Sequence, residues 1–382
     1  MTTTNVNLEQ KNGVTTTQDL LTHHLSCIGA MSQRQGEDDL CIPTKETIMS
    51  RTIKFAKAGG PEVLEFIETQ VPAPGPHEVR IKVKAIGINR GESMWRKGKF
   101  VKNDSIEPIK FPAGLGYEAA GIVDVVGKDV TGFAIGDAVS CIPTGLMNKY
   151  PTYGEVILFP DFAVVKHPKS LSFIQAASIW MMFMTAYGAL IADAQVTKGD
   201  FVIIPAASSS TGLAAIQITN YAGATPIALT RTSTKIKQLL EAGAAHVIAT
   251  EEQDLVAEVM RITNGNGARV IFDPVVGPTF SKLILALANQ GIVYIYGNLS
   301  ESDTQIPVLE FYPKMASIKG YGLPSITLHD ARRKAAVEYV VKGLASGALK
   351  PVIDRTFKFD EMVEVHRYLE SNGQFGKIVV TV

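Results

Sequence analysis

From residue 199 onward, short apolar runs alternate with segments whose hydrophobic residues recur at helical spacing. Phe201–Ile204 and residues 226–229, 246–249, 269–272 and 292–296 read as buried strands. The segments between them, 212–221, 235–242, 254–262 and 279–288, read as helices. In one of these, Ile236, Leu239 and Leu240 form a single stripe and Gly243 follows as a stop. This alternation predicts a parallel sheet with helices on both faces. Upstream the period is two. Residues 78–85 alternate strictly, residues 121–126 follow, and the turn-rich pieces PAPGPHE and TGFAIGD punctuate the chain, which predicts a curled, mostly antiparallel domain. Beyond about Met315, helices over 330–346 and 360–371 and a strand over 377–382 are expected to return to that first domain, making the parallel-sheet unit an insertion.

One apolar stretch imitates a membrane span. Residues 170–192 carry no charge, with Ile179-Trp-Met-Met-Phe-Met184 at the centre. A span needs about 20 consecutive apolar residues, and Ser172, Gln175, Ser178 and Thr185 interrupt this run, so it reads as a buried helix. The chain has 382 residues, 46% hydrophobic and 19% charged, which suits a soluble globular protein of two domains. Its 37 basic residues balance 37 acidic ones, which argues against nucleic-acid binding. Cys27, Cys41 and Cys141 form no C-x-x-C pair, so neither a disulfide framework nor a cysteine-rich zinc site is expected, and a reducing, cytoplasmic home fits. Residues 1–50 differ in composition. They are rich in Thr and Asn, carry Asp19, Glu37, Asp38 and Asp39, and match neither a secretory signal nor a transit peptide. They are expected to form an extension, disordered up to Thr16 and helical over 18–31, where adjacent His23 and His24 point apart and make no ligand pair.

The strand Phe201–Ile204 runs into Pro-Ala-Ala-Ser-Ser-Ser-Thr-Gly, where a dinucleotide site needs small residues so that a pyrophosphate can approach the backbone and a helix N-terminus. Only Gly212 remains of the glycines usual there. Ala207 and the hydroxyls of Ser208, Ser209, Ser210 and Thr211 supply smallness and donors instead. The next strand ends at Thr230, where an enzyme using NAD carries an acid. Here Thr230-Arg-Thr-Ser-Thr-Lys235 offers Arg231, Ser233 and Lys235, a setting suited to a 2′-phosphate and therefore to NADPH.

The motifs AGGPEVLE, KVKAIGINRGE, GLGYEAAGIV, GFAIGDAV, TAYGAL, KGDFVII, LEAGAAHVI, FDPVVG and GKIVV occur in that order over residues 51–382. In this the chain resembles the zinc-independent branch of the medium-chain dehydrogenase/reductases, similar to NADPH quinone oxidoreductases. The resemblance implies a GroES-like β-barrel domain (51–175 with 315–382) into which a Rossmann doubly wound parallel-sheet domain (176–314) is inserted, with the active site between them. It also implies a homodimer. Zinc-dependent relatives place a Cys and a His where this chain has Gly87-Ile-Asn89 and Gly116-Tyr117-Glu118, so a catalytic zinc lacks its usual ligands. By the same resemblance Lys235 meets the 2′-phosphate, and Thr185, Gly297 and Lys377 line the nicotinamide or phosphates. Asn89 borders the nicotinamide pocket, and the loop bearing Trp95, Arg96 and Phe100 borders substrate. Trp180 is a candidate apolar wall from its place in the sequence, although a Met and aromatic run at helical spacing is more often core.

Without zinc, the chemistry expected is hydride transfer from NADPH to a quinone or α,β-unsaturated carbonyl, which stabilises its own negative charge. Enoyl-thioester reductases of this branch use a Tyr where this chain has Phe100, which weighs against that alternative. Tyr117 is then the candidate donor to the acceptor oxygen, because a phenol stays protonated at neutral pH. Glu118 is expected to fix neighbouring backbone or Arg90. A noncatalytic, crystallin-like NADPH-binding protein is a further alternative.

Overall fold

The computed structural model describes residues 47–99 and 108–382. Of the extension expected over residues 1–50, residues 1–46, with the helix over 18–31, lie outside these, as does Phe100, whereas Ile48 to Ser50 already belong to the first strand. The first domain is built from β1 (Ile48–Phe55), β2 (Glu65–Val71), β3 (Glu78–Ile88), α1 (Arg90–Arg96), β4 (Ala113–Gly114), β5 (Glu118–Val126), β6 (Ala138–Cys141), β7 (Val156–Pro160) and β8 (Val164–Lys166). The apolar segment follows as α2 (Phe173–Ala176), α3 (Trp180–Tyr187) and a wide π turn over 188–193. Gly188 sits at the start of that turn because a Cβ there would stand 2.1 Å from the Tyr321 hydroxyl. The stretch Phe173–Asp193 is packed inside the protein rather than presented to a bilayer: 72% of its most apolar window is buried.

The inserted unit runs β9 (Phe201–Ile204), α4 (Ser210–Tyr221), β10 (Thr225–Thr230), α5 (Ile236–Glu241), β11 (His246–Ala249), α6 (Leu255–Ile262), β12 (Ala268–Asp273), α7 (Phe280–Leu285), β13 (Leu287–Ile295), α8 (Val308–Phe311) and β14 (Ser317–Gly320). All neighbours pair parallel in the order β11-β10-β9-β12-β13-β14. The direction in which strands are added therefore reverses between β9 and β12, and the crevice beyond their C-terminal ends is where such sheets bind ligands. β14 extends this sheet past the boundary expected at residue 314. Its SIKG sequence is too short and too exposed to show an apolar run.

α9 (Pro324–Thr327) and α10 (Asp330–Ser346) lead back to the barrel, where β15 (Ile353–Lys358), α11 (Met362–Glu370) and β16 (Lys377–Thr381) complete a seven-stranded sheet. β16 lies antiparallel to β3, Val379 opposite Gly87, so residues nearly three hundred positions apart become neighbours at the end of β3.

Candidate active site

The nucleotide end is a turn over 205–209 joining β9 to α4. Ser209 caps α4, its hydroxyl accepting the Gly212 amide at 3.0 Å. A Cβ on Gly212 would stand 2.6 Å from the Ala206 carbonyl oxygen and 2.7 Å from the Ala207 Cα, so the glycine that survives is the one that lets helix and turn touch. Ala206 takes φ +47°, a conformation that favours glycine. The turn is docked onto the barrel's last loop: Ser208 O accepts the Gly376 amide at 2.9 Å.

Lys235 reaches into the same corner. Its ammonium donates to Ser208 Oγ (3.3 Å) and to the carbonyls of Gly373 (3.3 Å) and Gln374 (3.0 Å). Burial, with exposed Arg231 adding to it and Asp354 opposing, pulls its pKa below the usual lysine value. Ser210 and Thr211 stand half-buried on the first turn of α4. The acid absent from the end of β10 enters from the next strand's loop: Glu252 accepts the Ser233 amide at 3.0 Å and its hydroxyl at 3.3 Å. The Thr230 carbonyl is occupied by the Thr250 amide.

Across the crevice, Asp273 ends β12 with a buried carboxylate that accepts the amides of Val275 (2.7 Å) and Val276 (3.1 Å), and burial lifts its pKa to about 6. Val276 is held at φ +53°, an outlier for a β-branched residue. Gly297 packs where a Cβ would lie 2.9 Å from the Pro274 carbonyl. Thr185 is buried on α3 and turns its hydroxyl onto the Met181 carbonyl one turn back.

The barrel side is a buried polar cluster. Gly87 leaves room for it, because a Cβ there would lie 1.9 Å from the Ala177 carbonyl oxygen and 2.9 Å from Glu118 Cγ. The Glu118 side chain thus crosses β3 and forms a buried ion pair with Lys377 of β16. Lys377 also donates to Asn89 Oδ1 at 2.6 Å, while Glu118 accepts the Met181 amide at 2.9 Å and so ties the start of α3 to the barrel. Asn89 Nδ2 faces Gly87 O (3.1 Å), Glu92 Oε1 (3.3 Å) and Glu118 Oε1 (3.4 Å). Tyr117 is buried next to Glu118, and burial, with Glu92 nearby, raises its phenol well above the usual value. It is neutral throughout the physiological range and able to donate a proton.

Several expected placements are corrected. Lys377, expected to line the nicotinamide or phosphates, is fully buried with its ammonium enclosed by Glu118 and Asn89, so it ties β16 to β5 and to the end of β3. Arg96 is fully buried, donating to Gly59 O at 2.6 Å and paired with Glu370 of α11, so it lines no pocket. Trp95 and Trp180 are core residues, their indoles bonded to Gly114 O (3.3 Å) and Ser140 Oγ (2.8 Å). Arg90 reaches Leu369 O and Asn372 rather than Glu118. The sequence reading missed Glu92, although Asn89-x-x-Glu92 is a legible capping box, and it missed Tyr153 and His366, which only tertiary contact brings here. A surface hollow of about 460 Å³ beside α10, lined by Phe162, Val165 and Arg333, lies outside this constellation.

The donor set does not fit a zinc ion. Among the described residues no group of three His, Cys, Asp or Glu is arranged for a metal, and an ammonium already occupies the carboxylate of Glu118. The nucleotide corner does fit a phosphorylated dinucleotide, offering close backbone at Gly212 and Gly297 and a partly desolvated cation at Lys235.

Comparison with known proteins agrees with this architecture. Residues 75–169 match the family "Alcohol dehydrogenase GroES-like domain" and residues 210–341 match "Zinc-binding dehydrogenase". The chain is 31% identical over 337 residues to the human quinone oxidoreductase, covering 87% of this chain and 98% of that one. Among solved structures, the Escherichia coli quinone oxidoreductase complexed with NADPH superposes with a TM-score of 0.78 at 28% identity, covering 87% of this chain and 100% of that one. An NAD-dependent alcohol dehydrogenase superposes with the same TM-score at 31% identity, covering 87% and 99%.

Proposed function

The chain belongs to the medium-chain dehydrogenase/reductase family, and from that premise we propose that it is an NADPH-dependent reductase of quinones or α,β-unsaturated carbonyls that works without a metal. The observation that carries the reading is the barrel-side cluster, where the Tyr117 phenol is buried and neutral near Glu92, and where the carboxylate of Glu118, next in sequence, is taken up by Lys377. NADPH supplies a hydride. The protein's part is to hold the acceptor, exclude water and deliver the matching proton, and the neutral phenol of Tyr117 is the group proposed for the last of these. Tyr117 regains its proton from solvent, so hydride and proton together reduce the acceptor by two electrons. Lys235, with Arg231 beyond it, supports recognition of the 2′-phosphate, and Ser208 to Thr211 with Gly212 support the pyrophosphate. Glu252 beside Ser233 limits how much of that loop is available to an anion.

A homodimer in the cytoplasm completes the proposal. Among the described residues β14 is an edge of the parallel sheet, and Val308, Leu309, Tyr312 and Met315 stand exposed just before it, at 60%, 76%, 65% and 70% of their full accessibility.

The test is NADPH oxidation, with chelator present, against 1,4-quinones, 2-enones and an enoyl thioester, with NADH as comparison. Chelator-resistant turnover that prefers NADPH is the expected result, with the best acceptor fixing the substrate class. Tight NADPH binding without turnover on any acceptor would favour a noncatalytic role.

A further inference from the structure

One buried carboxylate in the cluster has no part in the scheme above. Glu92 lies on the first turn of α1 with no solvent contact and receives four donors. Its Oε2 accepts the Asn89 amide at 2.8 Å and the Tyr153 hydroxyl at 2.7 Å. Its Oε1 accepts Asn89 Nδ2 at 3.3 Å and the Tyr117 amide at 3.3 Å. Two segments that reach the site from different strands, the end of β3 and the start of β5, are thereby held by one side chain. We propose that Glu92 is a positioning residue of the hydride-transfer site, its ionised carboxylate fixing the main chain of Asn89 and Tyr117 relative to each other. This rests on the reductase reading of the site.

The chemistry of the carboxyl group makes this arrangement sensitive to protonation. An ionised carboxylate only accepts, and four donors suit it. A protonated one carries a donor of its own and cannot accept all four. Burial raises the Glu92 pKa to about 7, opposed by its hydrogen bonds from Asn89 and Tyr153 and by the charge of Lys377. The groups facing it are Tyr117 and Glu118 at the start of β5, Tyr153 before β7, His366 on α11, Lys377 on β16 and, one turn along α1, Arg96. Tyr153 has one proton. With Glu92 ionised that proton goes to Glu92, and His366 Nε2, at 3.1 Å, donates to the phenol oxygen. With Glu92 protonated the chain can reverse, Glu92 donating to Tyr153 and Tyr153 to His366 Nε2, the neutral imidazole then carrying its single proton on Nδ1 instead of Nε2. His366 stays uncharged either way: burial, then the charges of Arg96, Lys97 and Arg90, drops its pKa to about 3.

The experiment is the pH profile of NADPH turnover for the wild type, Glu92→Gln and Tyr153→Phe, with amide hydrogen exchange at Tyr117 read on the same proteins at one fixed pH. In the wild type, kcat should climb through pH 7 to a plateau. Glu92→Gln sets an amide NH₂ against incoming donors, so kcat should fall at least tenfold and lose the pH 7 limb, with KM for NADPH within about threefold and Tyr117 exchange faster. Tyr153→Phe removes a donor that favours the anion, so its limb should move to higher pH. A Glu92→Gln enzyme with wild-type kcat and pH profile would overturn the proposal. So would a Tyr153→Phe limb that does not move, should Glu92→Gln fail to fold. A wild type inactive on every acceptor would overturn the reductase reading instead, and unchanged Tyr117 exchange in Glu92→Gln would then overturn the positioning role by itself.

Discussion

Tyr117 and Lys235 carry the two ends of the proposed reaction, and each is testable alone. Tyr117→Phe removes one oxygen from a buried site. If the phenol delivers the proton, turnover should fall by about 10²-fold or more with NADPH affinity unchanged, measured as kcat beside a fluorescence titration. Lys235→Glu places a carboxylate among Ser208 Oγ and two carbonyls, where the ammonium now bonds them. NADPH affinity should fall more than tenfold further than NADH affinity, because a charge-assisted contact to a 2′-phosphate contributes about 1.5–3 kcal/mol. Equal losses for the two nucleotides would remove the 2′-phosphate assignment. His366 gives a residue-level pH effect of definite sign. Folded, it takes a proton only near pH 3, whereas the unfolded imidazole does so near its ordinary 6.5. Between those values the unfolded chain binds more protons, so stability falls as the pH drops through that window. Urea unfolding of wild type and His366→Leu should show the difference between them shrinking as pH is lowered from 7 to 4.

At the scale of the element, the turn from β9 to α4 shows how a glycine-poor motif still makes its bend. Gly212 is retained where a Cβ would strike backbone that cannot yield, while Ala206 holds a positive φ that a glycine would adopt freely. The left-handed conformation costs a non-glycine residue about 1–2 kcal/mol, and glycine's extra freedom in the unfolded chain returns about 0.5–1 kcal/mol of that. Ala206→Gly should therefore stabilise the protein by about 0.5–1 kcal/mol in urea unfolding. A destabilised variant would show that the turn is not strained. The helices of this unit were readable because each buries one apolar stripe, and the strands because they are short apolar runs buried on both faces: Phe201–Ile204 and His246–Ala249 fall where the pattern places them. α7 and β13 were less so. The apolar run through 280–288 reads as one helix, but the chain leaves it at Leu285 and starts pairing with β12 at Leu287, a choice made by the sheet.

Across the whole molecule, the Glu118–Lys377 pair joins β5 to β16, and Glu118 reaches α3 through the Met181 amide, so the chain's last strand, the barrel and the helix leading into the parallel sheet meet at one carboxylate. Lys377→Met leaves Glu118 buried without its counter-charge and should cost about 3–5 kcal/mol of stability. Adding Glu118→Gln should recover a large part of it. Simply additive losses in the double variant would mean that the two side chains act separately. The same long-range closure explains the errors at the site. Arg96, Trp95 and Trp180 were expected to line a substrate pocket, yet their side chains turn inward to Glu370, Gly114 and Ser140.

The sequence by itself determined the alternation of strands and helices, the barrel with its inserted parallel sheet, the Gly212 turn and the cation at Lys235. The barrel follows from the order of the family's motifs, and each of the others depends on local periodicity, on room for a Cβ, or on a charge beside a strand end. Tertiary structure alone decided the partners of the buried polar groups. Glu92 collects donors from Asn89, Tyr117 and Tyr153, Tyr153 meets His366, and Lys377 closes on Glu118. A buried charge is tolerable only where complementary groups surround it, and those groups come from strands far apart in the chain, so no local pattern records them.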